Sequence, residues 1–338
     1  MSPAIVRGLV GLSPVLAFLA ALLALDSYKL VRLRVVVAVV AAGALVAAAT
    51  YPANDAFLAR VPISLALFSR YVAPVTEELL KGLVVVALVR SNRIGFLVDA
   101  AILGFAVGTG FAVAENLWYL NLVGDAPLGL WVVRGFGTAL MHGGATAIVA
   151  VSGLSMLERG RGGWRRAAAF LPGLGVAIVL HATFNHFFLS PRLSTLLVVV
   201  VLPPLLWSVF ERSERALGDW LGKGFDADTE MLELINSGQL VASPVGRYLH
   251  ALRDRFEGTV VADLLCYLRL HTELALRAKG ILMMRETGFD VPVDQATRDT
   301  FAELRYLRRT IGPTGLLALK PMLGMSHRDL WQLYMLEG

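Results

Sequence analysis

The chain has 338 residues, of which 56% are hydrophobic and only 17% charged, and its mean hydropathy is +0.65. Soluble domains contain about 45–50% apolar residues, so this composition excludes an ordinary soluble protein and favours a membrane protein. The formal charge of +5 comes from the apolar residues 1–210, which contain 15 of the 31 basic but only 8 of the 26 acidic residues. Basic residues beside apolar segments are typical of membrane-flanking loops, and we therefore expect no nucleic-acid partner.

Seven segments are apolar and long enough to span a membrane, which takes about 20 residues of helix. They lie near residues 5–25, 35–52, 72–89, 96–120, 131–157, 167–189 and 193–210. Between the second and third, residues 54–70 contain an apolar run bracketed by Arg60 and Arg70, which predicts an interfacial or re-entrant helix, and an eighth span stays open. The predicted fold is all-α: a polytopic membrane helix bundle of about seven spans.

The basic residues between these segments predict the orientation of the bundle. Alternate loops place nine of them on one side: Lys29, Arg32, Arg34, Arg90, Arg93, Arg159, Arg161, Arg165 and Arg166. The other side has four: Arg7, Arg60, Arg134 and Arg192. Because cytoplasmic loops are rich in Lys and Arg, we expect the N-terminus outside and the C-terminal part in the cytoplasm. The first segment lacks a clear cleavage site, which predicts a retained helix rather than a signal peptide.

Residues 211–338 are polar and predict a small cytoplasmic all-α domain after a transmembrane catalytic bundle of residues 1–210. Its helices are expected near 228–236, 244–287, 294–310 and 326–336, with a break around Glu257–Gly258. Asp226 or Asp228 is the expected N-cap of the first of them. No motif indicates whether this domain is a solvated appendage or a docking module.

Several charged side chains lie inside the predicted spans, where each costs about 2.5–3.5 kcal/mol and usually serves a function. The third segment contains Glu77, Glu78 and Lys81. Glu77 and Lys81 are one helical turn apart, in the order that favours an ion pair. A structural ion pair between those two leaves Glu78 unpaired, which favours a functional role.

Three further spans add polar residues in the same half of the predicted bundle. They are Glu115 in the fourth, His142 in the fifth, and His181 with Asn185 in the sixth. His181 and Asn185 are four residues apart and face the same way. Gly104 and Gly108 form a ridge of small residues that permits close contact between helices. We therefore expect the polar side chains to meet near the outer side of the membrane.

Carboxylates and imidazoles in an apolar cavity suit the activation of water and the hydrolysis of a peptide bond. One glutamate would act as the base, while a histidine and an asparagine amide would donate to the oxyanion. Alternatively, a zinc ion would activate the water, with Glu78, Glu115, His142 and His181 as candidate ligands. The residues alone leave both routes open, although the His-Glu-x-x-His zinc motif is absent.

Two functions from other classes compete with a peptidase. Buried Glu, His and Lys also form proton relays, as in a proton- or cation-coupled transporter, but the chain lacks the repeated halves of many transporters. In a non-catalytic membrane scaffold, the polar side chains would only join helices. Membrane lipid is a partner in every case.

The ordered set Glu77-Glu78-x-x-Lys81, Phe111-x-x-x-Glu115-Asn116, His142 and His181-x-x-x-Asn185 covers about residues 70–190. It resembles the PrsW family of bacterial intramembrane proteases, which are related to the CAAX prenyl endopeptidases of the ABI group. The resemblance implies a multi-pass peptidase of the bacterial inner membrane that cleaves a membrane-anchored protein, such as an anti-sigma factor. It implies that one of Glu77 and Glu78 activates water and that His181 and Asn185 stabilise the oxyanion. Glu115 stands where the CAAX relatives often have a histidine, so His142 or His181 is expected to supply the imidazole chemistry.

Overall fold

A computed structural model describes residues 2–159, 168–289, 291–323 and 327–337. All regular elements of the described residues are helices, and no strand occurs among them. The chain divides into two compact units, Met1–Glu214 and Arg215–Gly338. The predicted all-α helix bundle is confirmed.

Seven long helices begin in the described part of the first unit. They are α1 (Pro3–Leu25), α2 (Leu33–Leu58), α3 (Ala73–Arg90), α4 (Leu97–Val123), α5 (Leu128–Arg159), α6 (Leu171–His186) and α7 (Pro191–Asn236). Five of the helices described, α1, α2, α4, α5 and α7, are long and apolar enough to cross a membrane. The predicted spans at 72–89 and 167–189 are also helical, but α3 has too many charges and α6, with 16 residues, is too short to meet the same criteria. Arg161, Arg165 and Arg166, which the orientation prediction uses, lie outside the described residues.

The connection between α2 and α3 differs from the predicted interfacial or re-entrant helix. Helix α2 continues to Leu58, and a short helical turn, Leu65–Leu67, then leads through the π-helical segment Phe68–Val72 directly into α3. Pro62 has no backbone N–H, so it does not extend α2, and the apolar run after it is too short for a helix of its own.

Glycines bring α4 into close contact with its neighbours α5 and α2. A Cβ atom on Gly108 would lie 2.2 Å from the carbonyl oxygen of His142, and one on Gly104 would lie 2.8 Å from Cβ of Ala150. On the other side of α4, a Cβ on Gly110 would lie 1.9 Å from a carbonyl oxygen of α2. The predicted ridge of Gly104 and Gly108 is confirmed, and it sets the backbone of α5 at His142 directly against α4.

Replacing Gly108 by alanine is expected to lower the free energy of unfolding by about 1–3 kcal/mol, because the added methyl group has no room against the backbone of α5. Gly175→Ala in α6 is the matched control, since a Cβ there meets no atom within 4 Å. That control is expected to gain up to about 1 kcal/mol from the better helix propensity of alanine. Thermal unfolding in detergent, followed by circular dichroism, measures both, and equal stabilities of the two variants would contradict the packing argument.

The second unit is helical, but it begins differently from the prediction. Residues 228–236 are helical as predicted, but the predicted N-cap at Asp226 or Asp228 is wrong, because α7 continues without interruption to Asn236. Residues 211–227 are mostly good helix formers with no proline, so the backbone does not stop where the composition changes from apolar to polar. The boundary between the apolar and the polar part of the chain therefore lies within α7 and not at the end of a helix.

The remaining helices of this unit lie close to their predicted positions. They are α8 (Pro244–Ala251), α9 (Gly258–Glu286), α10 (Gln295–Leu319) and α11 (His327–Glu337). The predicted break at Glu257–Gly258 is confirmed, and α10 contains a kink at Gly312, where φ is +64°. Residue 326, the expected start of the last helix, lies outside the described residues.

Candidate active site

The predicted polar residues lie toward one end of the first unit. Successive helices run in opposite directions, so the first turns of α3 and α5 lie at the same end as the last turns of α4 and α6. Glu77 and Glu78 are in the second turn of α3, and His181 is five residues before the end of α6. The structure brings these side chains together with His142 and Glu115.

Glu78 and Lys81 form the fully buried centre of the cluster. Lys81 Nζ lies 2.6 Å from Glu78 Oε1, and the side chains of both residues are 0% exposed. The same oxygen of Glu78 lies 2.8 Å from Nδ1 of His181. Because an ion-paired carboxylate only accepts hydrogen bonds, Nδ1 of His181 carries a hydrogen, and in a singly protonated ring Nε2 would have the lone pair.

His142 lies between Lys81 and Glu115. Its Nδ1 is 3.0 Å from Lys81 Nζ, and its Nε2 is 3.4 Å from Glu115 Oε2. An ammonium group only donates, so Nδ1 of His142 is the acceptor and Nε2 carries the hydrogen of the neutral ring. The rings of His142 and His181 meet edge to face with centroids 4.7 Å apart, and Phe111 lies 4.9 Å from the ring of His142.

Each glutamate of the cluster has one buried oxygen without a hydrogen-bond partner among the described residues. Glu77 also has the longest contact with a basic side chain, 3.9 Å against 2.6 Å for Glu78 and 3.0 Å for Glu115. Its Oε2 is buried and has no hydrogen-bond partner among the described residues. Nε2 of His181 lies 3.9 Å from this oxygen. Two buried atoms with lone pairs thus face each other across a gap that would fit a small third group.

Glu77, His142 and His181 form the one group of the described residues whose donor atoms could hold a metal ion together. These atoms lie within 4.8 Å of one another. Donors on a tetrahedral zinc ion are about 3.4 Å apart, so small side-chain movements would close the set. The orphaned oxygen of Glu77 fits a ligand role, and His142 would have to exchange a present contact for the metal.

This group differs from the predicted metal ligands. Glu78 and Glu115, both predicted candidates, lie against the imidazole rings, while Glu77 replaces them as the carboxylate of the group. The physical reason is the buried Lys81, which binds Glu78 and leaves its neighbour Glu77 without a cation of its own. Carboxylates in the position of Glu78 and Glu115 orient the histidines instead.

Asn185 has a contact away from the two histidines. Its Nδ2 donates a hydrogen bond of 2.9 Å to the carbonyl oxygen of Ser69, in the π-helical segment before α3. One of its two amide hydrogens therefore ties α6 to the segment that leads to the glutamates. The role of Asn185 in catalysis stays a prediction.

Arg134 is a further residue of the site, although its place near a predicted span end favours a charge that flanks the membrane. Its side chain is buried, and Nη2 lies 3.0 Å from Glu115 Oε2. Its Nε also donates to Oδ1 of Asn116, the residue after Glu115. A lone arginine at a predicted span end gives no signal that separates a loop charge from a buried partner.

Comparison with known proteins gives one match. A family profile described as "PrsW family intramembrane metalloprotease" matches residues 31–209, which contain every residue of the cluster. No curated protein and no solved structure matches the chain.

Proposed function

Because the chain belongs to the PrsW family of intramembrane metalloproteases, we propose that it hydrolyses a peptide bond in a membrane-anchored protein, with Glu77 and His181 activating the attacking water. The observation that carries this proposal is the buried pair of lone-pair atoms, Glu77 Oε2 and His181 Nε2, 3.9 Å apart. Family membership favours a protease over the transporter and the scaffold considered from the sequence.

The residues around this pair have distinct tasks in the proposed reaction. Glu77 accepts the proton of the water at Oε2 and later gives it to the leaving amine nitrogen, as a general base and then a general acid. Glu78 accepts the Nδ1 hydrogen of His181, which keeps Nε2 directed at the reacting groups. Lys81 holds Glu78 ionised by direct contact, so that the orientation of His181 does not depend on solvent.

A zinc ion fits the same three side chains and is the proposed cofactor. Glu77, His142 and His181 would hold it, and zinc in such a site activates its bound water and polarises the scissile carbonyl. Both routes, glutamate alone or glutamate with zinc, need Glu77 and His181. The family description favours the route with metal.

An apolar cavity beside the cluster supports a membrane-embedded substrate. It has a volume of about 350 Å³ and lies between α5, α6 and α7. Met141 and Leu180 line it, and each directly precedes a histidine of the cluster. Apolar side chains of a transmembrane segment would fill this cavity while the peptide bond next to them reaches the polar site.

The proposal places the protein in the bacterial inner membrane, with the N-terminus outside and the polar C-terminal residues in the cytoplasm. Supporting this orientation, the described loops at the end of the bundle opposite the site contain Lys29, Arg32, Arg90 and Arg93. The cleavage site would then lie toward the outer surface. A membrane-anchored regulator of the anti-sigma-factor type is the proposed class of substrate.

The test is a comparison of new protein N-termini in cells that produce the chain or its Glu77→Gln variant. Terminal peptides are labelled and identified by mass spectrometry. We expect N-termini within or beside single transmembrane segments that appear only with the unchanged chain. Identical sets of N-termini in both cultures, at equal protein levels, would reject the proposal.

Zinc binding is expected at one ion per chain, measured by titration calorimetry on the purified protein in detergent. Loss of an orienting partner of a ligand lowers metal affinity by about 10–100-fold, so loss of a ligand in His181→Ala should exceed about 100-fold. His186→Ala is the matched control, because this histidine of the same helix bonds the Ala182 carbonyl and lies outside the metal group. Equal affinities of the two variants would contradict the proposed ligand set.

A further inference from the structure

Arg134 is a buried cation in an unusual piece of backbone. It lies in the π-helical segment Val133–Thr138, and the residue as a whole is 9% exposed. π-Helical turns inside α-helices are rare and occur frequently at functional sites. A buried guanidinium within the apolar bundle is costly unless it has partners, so its contacts define its role.

The partners of Arg134 come from one helix, α4, which α1 contacts in turn. Nη2 makes an ionic contact of 3.0 Å with Glu115 Oε2, and Nε donates a hydrogen bond of 2.8 Å to Asn116 Oδ1. The guanidinium also lies over the ring of Tyr119, 3.6 Å from its centroid. Asn116 in turn donates to the carbonyl oxygen of Gly11 in α1 at 2.7 Å. The guanidinium is thus held on three sides.

The same oxygen of Glu115 reaches the catalytic cluster. Glu115 Oε2 lies 3.4 Å from Nε2 of His142, on the side of the ring opposite Lys81. A carboxylate at this nitrogen keeps the hydrogen on Nε2 and leaves the lone pair on Nδ1, which faces the cluster. Carboxylates next to metal-binding histidines commonly act in this way.

From these contacts we propose that Arg134 is a positioning residue, which holds Glu115 against Nε2 of His142 and so fixes the orientation of the His142 ring, whose Nδ1 accepts from Lys81. The contacts of Arg134 given above are with Glu115, Asn116 and Tyr119, so its effect on His142 is transmitted by Glu115. The inference rests on the proposed function for its effect on catalysis, whereas its effect on the histidine ring is independent of any activity.

The first measurement is the ¹⁵N spectrum of His142 in lipid by solid-state NMR, which distinguishes hydrogen on Nδ1 from hydrogen on Nε2. In the unchanged chain and in Arg7→Gln we expect the hydrogen on Nε2. Arg7 pairs with Asp125 at the surface and is the control for loss of an ion pair. In Arg134→Gln we expect the Nε2 signal to shift and broaden, because Glu115 no longer has a fixed position at this nitrogen while Lys81 still donates to Nδ1. In Arg134→Lys, which restores a cation, we expect mostly the original signal. An unchanged His142 signal in Arg134→Gln would overturn the inference.

The second measurement is the kinetics of cleavage in a double-mutant cycle with Glu115→Gln. Arg134→Gln is expected to lower kcat by about 10–100-fold with little change of KM, as for the loss of an orienting partner. In the Glu115→Gln background the same change should have little further effect, because the group through which Arg134 acts is already gone. Equal losses in both backgrounds would overturn the inference.

The design separates failure of the inference from failure of the proposed function. If the unchanged chain cleaves nothing, the proposed function fails, while the NMR measurement still decides the role of Arg134. If Arg134→Gln does not fold, two other variants provide the same comparisons. They are Arg134→Lys and the double variant Arg134→Gln/Glu115→Gln. The double variant leaves no buried charge unpaired at this place. An Nε2 signal of His142 in the double variant identical to that of the unchanged chain would also count against the inference.

Discussion

Glu77→Gln is expected to lower kcat for peptide cleavage by roughly two to four orders of magnitude, the usual contribution of a general base. The amide is nearly the same size but neither accepts a proton nor binds a metal as a carboxylate does. Because Glu77 Oε2 has no hydrogen-bond partner among the described residues, the variant should be at least as stable as the unchanged chain. Activity and stability should therefore change in opposite directions.

The measurement combines cleavage of a purified substrate, identified by its new N-terminus, with thermal unfolding in the same detergent. Glu158→Gln is the matched control, since this exposed glutamate lies at the opposite end of α5 from the site. It should leave both quantities unchanged. Retention of more than a tenth of the turnover by Glu77→Gln would show that another group activates the water.

Lys81→Met is expected to lower the free energy of unfolding by about 3–5 kcal/mol, because it leaves the carboxylate of Glu78 buried without its cation. Both side chains are fully buried and 2.6 Å apart, so water does not replace the lost partner. The double variant Lys81→Met/Glu78→Gln should regain most of the loss, since it removes the unpaired charge. Unfolding in detergent measures this difference between the single and the double variant.

The exposed ion pair of Arg7 and Asp125 is the control for this prediction. Asp125 is fully exposed, and Arg7→Met should cost no more than about 1 kcal/mol, as for surface pairs in general. If the single and double variants at Lys81 were equally unstable, lost packing rather than an unpaired charge would explain the effect.

The two neighbouring glutamates thus have different expected roles. Glu77 is expected to affect turnover, whereas Glu78 is expected to affect stability and the orientation of His181.

The membrane bundle and most residues of the cluster can be predicted from the amino-acid sequence. Apolar length predicts a spanning helix because lipid satisfies no backbone hydrogen bond, and this holds whatever the neighbouring helices are. A charged side chain within such a helix must face the protein interior, which is why Glu78, Lys81, His142 and His181 were found without coordinates. The glycine ridge of α4 followed from the same reasoning, because only small residues let two backbones touch.

Which of these side chains contact one another depends on how the helices pack in the tertiary structure. Spacing along α3 permits Lys81 to pair with Glu77 or with Glu78. In the structure Lys81 contacts Glu78 of its own helix and His142 of α5, while Glu77 Oε2 has no hydrogen-bond partner among the described residues. Arg134 shows the same limit, since its contact with Glu115 depends on how α5 packs against α4. Periodicity specifies the face of a helix on which a side chain lies, whereas the atom that it meets depends on the rotation and depth of another helix. The contact partner of each side chain therefore depends on packing between segments that are far apart in the chain.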